Sequence, residues 1–247
     1  MKFALRSLCA VALSGLCAQA HAGTITVRYT LDAGGCNRNP LNGLAALATF
    51  TTTGNGLSIL VQNTSTGVPA RFDAASSLIT SLGMNLPNGT RIVSGDRATI
   101  APGAIGLQAW ASRGLGGSVA EEWGWSNLRG TRVFSEFQQS ITTTRTSRGM
   151  TLFGGGRGRV GDAFGGITAG PPILSIPRAK KAVSSSILFE LTLSSALTRQ
   201  QLSEVAYGSM IEFGADARYL RPVPEPSSLM LLAGAIAALP GLRRRLG

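Results

Sequence analysis

Hydrophobic and polar residues alternate over several stretches of the chain. Residues 24–31 read Thr-Ile-Thr-Val-Arg-Tyr-Thr-Leu, so that every second side chain is apolar. A period of two places one set of side chains against a core and the other in solvent, which is typical of a half-buried strand. The same alternation runs through residues 57–63 and 187–193. Each of these three stretches therefore predicts a β-strand.

Turn residues separate the predicted strands. Gly54-Asn55-Gly56 lies between the apolar stretches 45–53 and 57–63, and its residues accept the positive φ that a hairpin turn requires. A capping-box pair, Thr198 and Gln201, precedes Leu202 and predicts one short helix. A second helical turn is possible over residues 76–82. Four further stretches predict strands, namely 90–100, 104–110, 131–137 and 205–213.

Short strands with long Gly, Ser and Thr connections predict an all-β fold, an antiparallel β-sandwich of the jelly-roll or immunoglobulin-like kind with long Gly-rich loops. The predicted body covers residues 23–222. Residues 1–22 predict a signal helix, and residues 223–247 predict a segment with a short transmembrane helix.

The scarcity of His and Cys limits the chemistry of the body. The chain has one His, His21, and three Cys, of which Cys9 and Cys17 also lie in the predicted leader. A body without His can have neither a Ser-His-Asp catalytic triad nor a Cys-His catalytic dyad, and it cannot bind a metal through His. Cys36 would remain alone, so no disulfide can form within the processed chain. We expect no catalytic residues, no metal and no cofactor.

Basic residues are in excess but are dispersed. Between Gly23 and Arg221 lie 18 basic and 11 acidic residues, a net charge of +7. Nucleic-acid surfaces usually show clustered basic residues with aromatics between them, and the nearest approach to a cluster is Arg178, Lys180 and Lys181. We expect no nucleic-acid partner. A solvated basic surface that meets acidic polysaccharide or lipid head groups fits the charge better.

The first 22 residues have the three parts of a secretory signal. Lys2 and Arg6 form the positive region, and residues 8–16 form a short apolar run. Ala20 and Ala22 offer the small side chains that signal peptidase requires, which predicts cleavage before Gly23. Lipidation of Cys17 is the alternative, and the large Leu16 before it argues against that modification.

The last 25 residues also have three parts in a fixed order. Val223, Pro224, Glu225 and Pro226 precede an uncharged stretch over residues 229–242, and Arg243, Arg244 and Arg245 follow it. A helix of that stretch reaches only about 21 Å against a hydrocarbon core of about 30 Å, so its membrane anchoring would be marginal. The arginines would stop transfer and leave the body outside the inner membrane.

This tail resembles the sorting signal of PEP-CTERM proteins, which occur in Gram-negative bacteria that make exopolysaccharide. The resemblance implies that an exosortase, a membrane-embedded cysteine protease, cuts at or near the Pro224-Glu225-Pro226 motif. It also implies a membrane-anchored precursor and a final place at the cell surface or in the extracellular matrix. Segments 63–67, 121–125 and 207–214 resemble bodies that accompany such tails, and they assign no activity.

Two functional alternatives remain open beside a structural role. Trp123 and Trp125 would share one face of an extended strand, where they could fill the core, as large aromatic side chains often do. The alternative is that they stack sugar rings, which would make the body a module that binds carbohydrate such as exopolysaccharide. A glycoside hydrolase would need two convergent carboxylates. Candidates by residue type alone are Asp96, Glu121, Glu122, Asp162 and Asp216. The Gly-rich pattern at residues 156–161 lacks the helix that nucleotide binding requires, and predicts a loop.

Overall fold

The computed structural model describes residues 23–30, 43–67, 77–108, 114–128, 136–143, 150–155, 166–170, 181–214 and 218–223. These residues form strands and one helix. Their bounds are β1 Gly23–Tyr29, β2 Ala46–Thr53, β3 Gly56–Asn63, β4 Ile79–Met84, β5 Ile92–Ile100, β6 Ile105–Gln108, β7 Gly124–Ser126, β8 Gln139–Thr142, β9 Thr151–Leu152, β10 Ile167–Thr168, β11 Lys181–Ser184, β12 Ser186–Leu193, α1 Arg199–Tyr207, β13 Met210–Phe213, β14 Arg218–Leu220 and β15 Pro222–Val223.

The first sheet contains six strands in the order β15-β1-β2-β3-β12-β5, and every neighbouring pair is antiparallel. Its long strands alternate buried and solvent-facing positions, as the sequence pattern requires. The hairpin between β2 and β3 turns at Gly54, whose φ of 56° is one that glycine adopts without strain. These strands and this turn confirm the predictions made from the alternating pattern.

The second sheet contains nine shorter strands. Seven follow the order β6-β11-β10-β4-β8-β7-β9, while β13 pairs with β4 and β14. The β10–β11 pair is parallel and the other pairs are antiparallel. All six residues of β4 are buried, so this central strand has no solvent-facing side.

Both sheets contribute to one apolar core. Phe50, Ile59 and Phe189 from the first sheet belong to the same buried cluster as Leu82 and Ile211 from the second. The predicted all-β class is therefore confirmed. Helix α1 adds Leu202, Val205 and Ala206 to this core, and Thr198 caps it through the predicted reciprocal pair with Gln201.

Two local predictions are wrong. The proposed helical turn over residues 76–82 overlaps strand β4, since tertiary pairing with β8 and β13 outweighs the local preference. The proposed strand over 205–213 begins inside helix α1, and only Met210–Phe213 is extended. Of the predicted strand over 131–137, residues 131–135 lie outside the described residues.

The chain crosses from the second sheet to the first at Ser185. This residue separates β11 from β12 and has a positive φ of 74°. Its N–H donates to the carbonyl of Thr168 at 2.8 Å, and its own carbonyl accepts from the N–H of Asn63 at 2.8 Å. These two bonds hold a non-glycine residue in the left-handed region.

Candidate functional site

The two ends of the described body meet at one edge of the first sheet. Strand β1 begins at Gly23, the residue after the predicted signal peptidase site at Ala20 and Ala22, which itself lies outside the described residues. Strand β15 ends at Val223, which pairs with Arg28. Val223, assigned to the sorting segment by the sequence, thus contributes to the sheet.

The tail beyond Val223 lies outside the described residues. This applies to Pro224, Glu225 and Pro226 and to the stop residues Arg243, Arg244 and Arg245. Within the described ranges, α1 is too short and too polar to be a membrane span. The position of β15 therefore fixes only where the tail leaves the body.

Packing from the inside holds this edge in place. A Cβ built on Gly23 would lie 3.5 Å from Cδ2 of Leu202, so α1 covers the inward side of β1. At the other end of β1, the hydroxyl of Tyr29 is buried and hydrogen-bonds that of Ser209 at 2.5 Å. Burial raises the pKa of Tyr29 above its usual range, although the Ser209 hydrogen bond works against this shift.

An ion pair flanks β15 on the surface. Nη2 of Arg221 lies 2.9 Å from each carboxylate oxygen of Glu136, and both side chains are about half exposed. Pairs with this exposure typically contribute less than about 1 kcal/mol. The ion pair aligns the chain before β15 and adds little to its stability.

Trp123 and Trp125 are buried, which corrects the sugar-stacking hypothesis. Trp123 is 1 % exposed and packs against Phe189 with ring centroids 4.8 Å apart, and Trp125 is 9 % exposed. Strand β7 is buried throughout, so neither indole offers a free face to a sugar ring. The indole N–H groups of both residues have no hydrogen-bond partner among the described residues.

Trp125 instead fits against a glycine of the first sheet. A Cβ built on Gly95 would lie 2.4 Å from Cδ1 and 2.5 Å from Nε1 of Trp125. The absent side chain allows the indole to approach the backbone of β5, where the pairing with β12 shifts register between Glu190 and Leu191. Trp125 is therefore a contact between the two sheets.

The candidate carboxylates fall in different environments. Asp96 accepts hydrogen bonds from Ser94 at 2.6 Å and from Thr192 at 2.7 Å, on the exposed face of β5. Glu121 is exposed and Glu122 is partly exposed, while Asp162 and Asp216 lie outside the described residues. In the part of the chain that the structure describes, no group of three His, Cys, Asp or Glu residues could hold a metal ion.

Sequence reasoning missed one buried carboxylate, Glu212 of β13, which is 3 % exposed. Its Oε2 accepts from the hydroxyl of Ser81 at 2.7 Å, while the hydroxyl of Thr80, 3.3 Å away, lies closer to the carbonyl of Gly214, at 2.5 Å. The Ser81 hydroxyl also lies 2.8 Å from that of Thr142. The signal was present as a lone acid inside the apolar run Met210–Phe213.

Register aligns this carboxylate with other polar residues in a row across the second sheet. Thr142, Ser81, Glu212 and Tyr219 are successive partners on β8, β4, β13 and β14. Desolvation by burial raises the pKa of Tyr219 to about 12, and the negative charges of Glu212 and Glu136 act in the same direction. Thr142, Ser81 and Glu212 of this row form a buried hydrogen-bond network that orders β8, β4 and β13.

A second polar element joins the two sheets. Asn63 at the end of β3 is buried, and its amide nitrogen donates to the carbonyls of Ser77 at 2.8 Å and Ile167 at 2.7 Å. Its amide oxygen accepts from the N–H of Ser65 at 3.1 Å. The segment 63–67, noted in the sequence for its resemblance, therefore has a structural role.

Comparison of the chain with protein-family models, with curated proteins and with solved structures finds no match. The function of this chain is therefore inferred from the sequence motifs and from the geometry described above.

Proposed function

We propose that the chain is an exported, non-enzymatic protein of the bacterial surface or extracellular matrix, delivered by a signal peptide and sorted by an exosortase. The observation that carries this proposal is the tail, in which the Pro224-Glu225-Pro226 motif, a short apolar stretch and three arginines follow one another in order. The signal helix and the short transmembrane helix are part of the proposal.

The position of the two ends supports this assignment. The predicted signal peptidase cut falls directly before Gly23, the first residue of β1, and would leave this strand intact. The predicted exosortase cut falls after Val223, the last residue of β15. Both cuts would therefore release a body whose described strands are complete.

The burial of two tryptophan side chains argues against the alternative function of sugar binding. Because Trp123 and Trp125 fill the core, a module that binds sugars through these two rings is not proposed. A net charge of +7 between Gly23 and Arg221 favours contact of the surface with acidic exopolysaccharide. The body itself is proposed to be an antiparallel sandwich of the jelly-roll or immunoglobulin-like kind, with its two sheets around the shared core.

The test is the intact mass of the protein from cells with and without the exosortase. With the enzyme, we expect a chain that begins at Gly23 and ends near Pro226; without it, we expect one that ends at Gly247. The variant Glu225→Ala should block the second cut, whereas Glu122→Ala, a matched change in the body, should not. Identical C-termini in both strains would refute the proposal.

A further inference from the structure

The chain contains three Asn-Gly pairs, at residues 42–43, 55–56 and 88–89. In such a pair the backbone nitrogen of the glycine can attack Cγ of the preceding asparagine, because the glycine has no side chain that hinders the approach. Asn42 lies outside the described residues, whereas Asn55 and Asn88 are both exposed at turns. The structure holds these two exposed pairs in different ways.

The peptide group between Asn55 and Gly56 is held at both ends by hydrogen bonds. The N–H of Leu193 on β12 donates to the carbonyl of Asn55 at 2.8 Å. Since successive residues of a strand direct their backbone groups to opposite sides, Gly56 directs its N–H to Thr53, its partner across the hairpin. The nitrogen of Gly56 therefore cannot turn toward the Asn55 side chain unless the hairpin opens.

The peptide group between Asn88 and Gly89 lies in the middle of a β-turn. The N–H of Thr90 donates to the carbonyl of Pro87 at 2.9 Å, which closes a turn over residues 87–90. The central peptide group of such a turn takes no part in the closing bond. Asn88 and Gly89 are also both exposed to solvent.

This central peptide group can rotate while the closing bond remains. Gly89 has a φ of 83°, as the third residue of a type II turn does. Rotation of the central peptide converts a type II turn into a type I turn and reverses the sign of φ at that position, which glycine tolerates. Rotation about the Cα–C bond of Asn88 is also the motion that brings the Gly89 nitrogen to Cγ of Asn88.

The chain directly after the turn is anchored to the end of β12. The hydroxyls of Thr90 and Ser195 lie 2.8 Å apart. The N–H of Arg91 donates to the hydroxyl of Ser194 at 3.1 Å, and the N–H of Ser194 donates to the carbonyl of Arg91 at 2.9 Å. These bonds allow the tip of the turn to move without displacing strand β5.

We propose that Asn88 is a site of spontaneous deamidation, from which Asn55 is protected by its hairpin. The nitrogen of Gly89 loses its proton and forms a bond to Cγ of Asn88, the Cγ–Nδ2 bond breaks, and the amide nitrogen leaves as ammonia. Water then opens the cyclic imide at either carbonyl and yields aspartate or isoaspartate at residue 88. The reaction consumes only water and gives the body one additional negative charge.

The test compares the two sites in the folded and in the denatured full chain. After incubation at mildly alkaline pH, peptide mass spectrometry should show that Asn88 is converted at least about tenfold faster than Asn55, since Asn55 reacts only after local opening. In guanidinium chloride the two rates should agree within about threefold, because each asparagine precedes a glycine and the hairpin is lost. Equal rates in the folded chain, or a ratio that denaturation does not change, would overturn the proposal.

Two matched variants assign the reaction to its residue. Asn88→Gln should abolish the faster release of ammonia, because the longer glutamine side chain would have to close a larger ring. Asn55→Gln, the same change at the other exposed turn, should leave that release unchanged. Unchanged fast release of ammonia in Asn88→Gln would contradict the assignment. These measurements involve no exosortase, so their outcome is independent of the sorting proposal.

Discussion

The two sheets bury their polar side chains to different degrees. On the outer face of the first sheet, Thr24 and Thr26 are exposed, and their hydroxyls bond to those of Thr51 and Thr49. In the polar row of the second sheet, Ser81, Thr142 and Glu212 are almost fully buried. A strand with one solvent-exposed face has alternating apolar and polar residues in its sequence, whereas a strand buried on both faces does not.

The largest expected effect is at Asn63, which joins the two sheets. In Asn63→Asp, carboxylate oxygens would face the carbonyls of Ser77 and Ile167 in place of N–H donors. We expect a loss of about 3 kcal/mol or more in the free energy of unfolding, measured by urea denaturation. Asn88→Asp, at an exposed turn, is the control and should change it by less than about 0.5 kcal/mol.

The contact between Gly95 and Trp125 tests whether the sheets are packed as one unit. In Gly95→Ala the new methyl group would overlap the indole ring, and we expect a loss of about 2 kcal/mol. The control Gly114→Ala adds a methyl group where no heavy atom lies within 4 Å. Similar urea midpoints for the two variants would mean that this inter-sheet contact is not tight.

Removing one side-chain hydroxyl from each sheet compares how much a buried and an exposed hydroxyl contribute to stability. Ser81→Ala takes a donor from buried Glu212 and should cost about 2 kcal/mol. Thr26→Ala removes a hydroxyl that is exposed to water and should cost less than about 0.5 kcal/mol. If the two losses, measured by thermal and urea unfolding, were equal, the proposed difference between the faces would be wrong.

The smallest expected effect is a loss of stability at alkaline pH. The folded pKa of Tyr219 is about 12 against an ordinary 10.0, and that of Tyr29 is raised as well. Above pH 10 the unfolded chain loses protons that the folded chain keeps, so the free energy of unfolding falls as pH rises through this window. Tyr29→Phe should flatten this fall more than Tyr219→Phe, since Tyr29 is fully buried. Urea midpoints measured from pH 9 to pH 12 check this order. A larger flattening in Tyr219→Phe than in Tyr29→Phe would mean that solvent reaches the side chain of Tyr29.

The contrast between the sheets also explains what could be predicted. Within β1, β3 and β12, apolar and polar residues alternate because one side of each strand faces solvent, and the sequence predicted these three strands correctly. Strand β4 was missed because tertiary pairing buries all of it and erases the period of two. The buried Glu212 could not be located from its type alone, since its hydroxyl donors are distant in sequence.

The candidate site was predicted in part. The sequence placed Val223 in the sorting segment, whereas the structure places it in β15, where it pairs with Arg28. The roles of Pro224, Glu225 and Pro226 in sorting stay predictions. Trp123 and Trp125 were considered both as core and as ligand residues, and Phe189 and Gly95 place them in the core.

The partners of β1 also determine when the body can fold. Its first residue packs under α1, and its last residues pair with β15, so the earliest strand to be synthesised depends on two of the last elements. Such distant contacts make a chain slow to fold. Strand β1 therefore has an incomplete set of neighbours until nearly the whole chain is available, and under the proposed export this would delay folding until most of the chain had crossed the membrane.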